Sequence, residues 1–138
     1  NGGILIDDKN IIKIGKFNEL KKSELQEVRF YHSCVITPAL INSHIHFEFS
    51  KNYSTLQYGS FEKWLDSVMQ NRDTLMQDSA SYIKNAIKET LYSGVGCVGA
   101  ISSNGFDLEL LSKSALKVVV FNEIMGSNKD FFNKNVNF

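Results

Sequence analysis

His44 and His46, one residue apart at the end of the run Val35-Ile36-Thr37-Pro38-Ala39-Leu40-Ile41-Asn42-Ser43-His44-Ile45-His46, are the residues best suited to chemistry in this sequence. Successive side chains of a strand point to opposite faces, so the two histidines share one face while Ile41, Ser43 and Ile45 share the other. Neutral imidazole is a common ligand for zinc and other borderline metals, and a strand end holds two rings at a fixed separation. The chemistry suggested is divalent-metal binding. The spacing does not choose among zinc, iron, nickel and copper, all of which accept imidazole. His32 precedes Pro38 and reads as a surface or packing residue.

Pro38 biases Thr37 towards extended backbone and marks a boundary, giving units 1–37 and 38–138. In the first, apolar runs at 3–6 and 10–15 flank Asp7-Asp8-Lys9-Asn10, which has the turn chemistry of a tight hairpin. A charged connector over 16–22 follows, then a further strand at 27–31. This small antiparallel β unit contains no ionisable constellation. In the second unit the histidine strand leads into a polar and aromatic loop over 47–59. Phe61, Trp64, Leu65, Val68 and Met69 then line one face of a helix with Ser60 placed to cap it. Ile83, Ala86, Ile87, Thr90 and Leu91 line a second helix, capped by Ser79 and stopped at Gly94. A small-residue strand over 95–101, a short helix over 107–114 and a buried strand over 117–123 complete the pattern. Apolar strands alternating with helices predict an α/β fold with a parallel sheet covered on both faces. A doubly wound sheet and the start of a β/α barrel both fit.

Composition excludes several classes. At 138 residues, 43% hydrophobic and 22% charged, the chain suits a globular fold with a real core, and 15 basic residues balance 15 acidic ones. No basic stripe interleaved with aromatics marks a nucleic-acid surface, and no apolar run approaches the roughly 18 residues of a membrane span. Cys34 and Cys97 lack a disulfide-type spacing and read as reduced, buried thiols of a cytoplasmic protein. Asn52-Tyr53-Ser54 matches a glycosylation acceptor, but nothing else points to secretion. The chain begins at Asn1 without methionine and stops at Phe138 after a polar stretch resembling the opening of another element, so it is expected to be a fragment.

Gly94-Val95-Gly96-Cys97-Val98-Gly99-Ala100 matches the dinucleotide fingerprint letter for letter. That fingerprint works only where its glycines follow a strand and open a helix, so that the pyrophosphate meets the helix N-terminus. Here Gly94 ends a helix and the later glycines lie within a strand, where small residues permit close backbone approach. The match carries no nucleotide-binding prediction.

The run from Ile36 to His46, preceded by the small β unit beginning Asn1-Gly2-Gly3, resembles the start of an amidohydrolase-superfamily enzyme. The runs His46-Phe47-Glu48-Phe49-Ser50, Tyr58-Gly59-Ser60-Phe61-Glu62-Lys63-Trp64-Leu65, and Ser93-Gly94-Val95-Gly96-Cys97-Val98-Gly99-Ala100-Ile101-Ser102-Ser103 narrow the resemblance to its nucleobase and nucleoside deaminases, among those serving menaquinone biosynthesis. Ala39 stands where the family usually has glycine, a small-for-small change, and Ile45, where it often has threonine, is expected to face away from the site. The resemblance implies the first three units of a (β/α)8 barrel over 38–138, preceded by part of a flanking β-sandwich over 1–37. It implies one divalent ion, zinc or iron, held by His44 and His46 together with a histidine and an aspartate from later strands, and a nearby glutamate as proton shuttle. No histidine follows His46, so the remaining histidine ligand is not expected within this chain, and the resemblance assigns no catalytic residue to it. The implied reaction is hydrolytic deamination of an adenine-containing nucleoside. A relative acting on a cytosine, guanine or chlorotriazine ring, and a fragment inactive as it stands, are the alternatives. The implied partners are the small-molecule substrate, the remainder of the same polypeptide or a second fragment, and a possible second copy of the chain; nucleic acid and membrane are not among them.

Four further residues are substrate-contact candidates. Glu48 lies two residues beyond His46 and reads as a substrate contact or a solvated loop carboxylate. Glu123 ends the third strand at the rim, where it can bind a substrate hydroxyl or form a rim ion pair. Trp64, like Phe61, is on the apolar face of its helix and reads as core or as a stacking surface. Arg72, with Asn71 and Asp73, lies near the helix end where related nucleoside deaminases contact the sugar.

Overall fold

The computed structural model describes residues 1–20 and 27–124, and the chain divides into two units, Asn1–Ile36 and Thr37–Phe138. In the first, β1 (Gly2–Asp7) pairs antiparallel with β2 (Asn10–Lys16), with a register shift between Leu5 and Ile6. Asp8 takes a positive φ of 51° in the connecting turn, a conformation aspartate tolerates better than most residues. The connector is not irregular throughout: Phe17–Leu20 forms one helical turn, α1, whose Leu20 is buried. Lys21 and Lys22 lie outside the described residues. The strand expected at 27–31 does not form. Those residues have no ladder partner among the described residues, and Phe30 packs against Phe17 with ring centroids 5.4 Å apart. Cys34 is exposed rather than buried, and Cys97 is half-buried.

The second unit is built on a parallel sheet in the order β3 (Leu40–Ile45), β4 (Val95–Ser102), β5 (Lys117–Asn122). Between β3 and β4 come a 3-10 turn (Phe47–Phe49), α2 (Phe61–Met76) and α3 (Ala80–Tyr92); α4 (Leu108–Ser112) links β4 to β5. Ser60 caps α2, its hydroxyl accepting from Lys63 N at 3.5 Å. Ser79 does not cap α3 with its side chain. Its backbone is already helical and its carbonyl accepts from Ile83 N at 2.9 Å, while Asp78 at φ 52° makes the bend from α2. Gly94 stops α3 at φ 86°, where a side chain would be strained, and its carbonyl accepts from Leu40 N at 2.8 Å, tying the helix end to the start of β3.

Helices α3 and α4 cover one face of this sheet. Ile83 and Ile87, Leu111, Leu116, Val98, Ala100 and Phe47 form a continuous buried cluster, with Ile45 and Val118 packed on it. The expectation of a sheet covered on both faces, with β5 fully buried, does not hold among the described residues. Val119 and Phe121, two apart and therefore on one face of β5, are 54% and 52% exposed, and Ile41 of β3 is 74% exposed. Their apolar character is matched by no packed element of the described chain. A second cluster, Leu56, Val68 and Leu75 with Phe49 and Trp64, seats α2 on the 3-10 turn that follows the histidines. The polar stretch before Phe138 lies outside the described residues.

Candidate metal and substrate site

The end of β3, where the histidines lie, is irregular. The β3–β4 register shifts between Asn42 and Ile45, and His44 N–H, instead of joining the ladder, donates to Asn42 Oδ1 at 3.1 Å. Across the strand, Gly99 gives the backbone room: a Cβ at that position would overlap the Ser43 carbonyl oxygen. The two rings converge. His44 Nε2 and His46 Nε2 lie 3.3 Å apart, with ring centroids 5.2 Å apart at 54°. Two nitrogens each about 2.0–2.1 Å from one tetrahedral ion stand roughly 3.4 Å apart, so the pair already has the separation of two ligands of a single metal.

The electrostatics favour the ligand form of the ring. Burial, first, holds His46 below the ordinary imidazole range, aided by His44 and Arg72 and opposed by Glu123 and Glu48. Its Nδ1 is buried and without a hydrogen-bond partner among the described residues. Among those residues no group of three or more His, Cys, Asp and Glu side chains is placed to hold a metal ion.

Glu48 is not solvated. The 3-10 turn after His46 points it inward, where it is fully buried; Oε2 accepts from Ser103 N at 3.0 Å, and Oε1 from Asn104 N at 2.9 Å and Ser102 Oγ at 3.1 Å. A buried carboxylate needs such donors to offset its lost hydration. The same loop reaches in two further directions. Ser103 Oγ donates to Glu123 Oε2 at 2.7 Å, and Asn104 Nδ2 lies 3.2 Å from Met76 Sδ at the end of α2. Glu123 is half-buried just past β5, its N–H donating to the Ser102 carbonyl at 2.9 Å. The structure thus brings His44, His46 and Glu48 to the carboxyl end of β3 and Glu123 to that of β5, with the loop after β4 between them. Arg72 reaches the same end from α2, with Cζ 5.8 Å from the centroid of the Phe49 ring. Trp64 is partly buried in the α2 cluster, with its ring centroid 5.8 Å from that of Phe61.

Ser102, Ser103, Asn104 and Asp107 were not expected at the site. Their signal in the sequence is the string of small polar residues straight after β4, at the strand end where parallel sheets collect functional groups. Asp107 is fully buried with Oδ1 2.6 Å from Ser102 Oγ, and burial, first, raises its pKa.

Comparison with known proteins fits this arrangement. The chain is 42% identical over 127 residues to an adenosine deaminase of Helicobacter pylori, matching 91% of this chain and 31% of that protein. It is 42% identical over 113 residues to an aminodeoxyfutalosine deaminase of a Nitratiruptor species, matching 80% of this chain and 28% of that one. The crystal structure of Helicobacter pylori aminofutalosine deaminase in complex with methylthio-coformycin superposes with a TM-score of 0.85 at 41% identity, over 96% of this chain and 34% of that one. The chain therefore spans about a third of the length of the relatives it matches. The sequence model of the amidohydrolase family matches residues 35–132, the stretch that contains the histidine pair and the strand ends around it, and the chain belongs to that family.

Proposed function

We propose that this chain is part of a metal-dependent hydrolase that removes the amino group from an adenine-containing nucleoside, with His44 and His46 as two ligands of one divalent ion, zinc or iron. The observation that carries the reading is the 3.3 Å approach of the two Nε2 atoms at the end of β3. Amidohydrolases generally use a divalent metal, and two of the relatives are nucleoside deaminases by name. When bound, such an ion would supply Lewis acidity, lowering the pKa of a water towards neutrality for hydrolytic displacement of ammonia. The chain's own residues do the positioning. Neutral His44 and His46 supply lone pairs, Glu123 accepts a substrate hydroxyl at the rim, and Arg72 bounds the site from α2.

In this reading, residues 38–138 are the first three units of a (β/α)8 barrel and residues 1–37 part of a flanking β-sandwich. The remaining ligands and the proton shuttle come from the rest of the polypeptide or from a second fragment, and residues 1–138 alone are inactive. The protein works in the cytoplasm on a small-molecule substrate. The full protein is to be assayed for ammonia release from aminodeoxyfutalosine, adenosine and cytosine, before and after metal removal. Turnover of a purine nucleoside that is lost with the metal and restored by zinc or iron supports the assignment. Turnover of cytosine alone would move the protein to another ring, and metal-independent turnover would overturn the mechanism.

A further inference from the structure

Glu48 uses both carboxylate oxygens on the loop after β4, and it does so two residues from His46. Its partners are unusual in kind: two are backbone N–H groups, of Ser103 and Asn104, which cannot rotate away as side chains can. The contact joins elements far apart in sequence, since Glu48 closes the turn leaving β3 while its donors begin the turn leaving β4. Ser103 extends the link to β5, its N–H on Glu48 and its hydroxyl on Glu123. Other restraint on the pair comes from the Phe49 ring, whose centroid lies 5.7 Å from that of His46, and from the His44 N–H bond to Asn42 Oδ1. His44 is exposed, His46 Nδ1 has no partner among the described residues, and the β3–β4 ladder is interrupted just before them.

We infer that Glu48 is a positioning residue for the histidine pair: its buried carboxylate clamps the turn after His46 to the backbone of residues 103–104 and so holds the His46 ring at ligand distance from His44. The inference rests on the reading of His44 and His46 as metal ligands, but the clamp itself is a property of the metal-free chain. Burying a glutamate is costly without donors, and a purely packing role at this position would be filled by an apolar side chain. A carboxylate with three donors fixes direction as well as depth, as the outer partners of ligating histidines do.

The test uses the full protein with Glu48→Gln, which keeps the shape but turns an amide NH2 towards a backbone N–H, and Ser102→Ala, which removes one donor and leaves the backbone pair. Two readouts are taken: the rate of metal loss to a chelator, and the imidazole nitrogen resonances of His44 and His46 in metal-stripped protein. Glu48→Gln is expected to speed metal loss about 10–100-fold, the usual effect of removing an outer partner. It also shifts the His46 resonances of the folded, metal-free protein, with Ser102→Ala moving both in the same direction by less. Folded Glu48→Gln protein with unchanged His46 resonances and unchanged metal loss would overturn the inference. If Glu48→Gln does not fold, unchanged resonances and metal loss in Ser102→Ala overturn it instead. If the wild-type protein holds no metal yet Glu48→Gln moves His46, the clamp stands and the metal-dependent reading falls.

Discussion

The Ser102 hydroxyl oxygen lies 2.6 Å from Asp107 Oδ1, and the same oxygen is 3.1 Å from Glu48 Oε1. A serine has one proton to give, and Gly105 N already donates to this oxygen at 3.1 Å. With both carboxylates ionised, one of the two contacts is between lone pairs. A proton on Asp107 relieves the crowding of two carboxylate charges around one hydroxyl.

The consequence for pH follows from the sign of the shift. Burial, then the Glu48 charge, push the Asp107 carboxyl above its ordinary 3.8, against the Ser102 hydrogen bond. The folded state therefore binds this proton more tightly than the unfolded state, and the associated stability is fully present below the unfolded pKa and lost as pH rises through the folded one. Asp107→Asn does not titrate. Urea unfolding of both proteins over an acid-to-neutral series is expected to show the wild type losing stability relative to Asp107→Asn across that window, then holding a constant difference. A difference that moves in the wild type's favour as pH rises would contradict the assignment.

Gly99 has no room for a side chain. Gly99→Ala places a methyl against the Ser43 carbonyl, which belongs to the backbone and cannot swing aside. The expected cost is about 1–3 kcal/mol in unfolding free energy, the range for overpacking. Since Ser43 adjoins His44, weakened metal retention should accompany it.

Glu123 gives a kinetic prediction. A rim carboxylate that binds a substrate hydroxyl acts equally in the ground and transition states, so Glu123→Gln should raise KM with little change in kcat. Loss of a charge-assisted hydrogen bond of about 1.5–3 kcal/mol corresponds to roughly a 10- to 100-fold rise in KM. A fall in kcat at constant KM would assign Glu123 to the chemical step instead.

The exposed apolar side chains test the barrel. In the full protein Ile41, Val119 and Phe121 should face an interior made with later strands, and carbene footprinting should find them protected. Labelling at the level of their exposure here, 74%, 54% and 52%, would show the sheet to be open.

Much of the fold was legible because its signals are local and periodic. The spacing of Phe61, Trp64, Leu65 and Val68 marks α2, Gly94 marks the end of α3, and Val118-Val119-Val120-Phe121 marks β5. The strand expected at 27–31 failed because an apolar run is a strand only if another strand pairs with it. Ser79 failed as a cap because Asp78 had already turned the chain. At the site, the shared face of the H-x-H pair was legible from strand alternation, whereas the 3.3 Å approach of its Nε2 atoms depends on backbone irregularity that residue types do not reveal. Glu48 was found in the right place with the wrong surroundings. Whether a carboxylate two residues past a strand faces solvent or protein depends on the backbone N–H groups of Ser103 and Asn104, which side-chain identity does not reveal.

The most direct test of the central claim is the metal content of the full protein, measured for wild type, His44→Ala and His46→Ala alongside ammonia release from adenosine and aminodeoxyfutalosine. The account predicts about one divalent ion per wild-type chain and loss of both ion and turnover in each variant. Either variant retaining the wild-type metal content and turnover would contradict it.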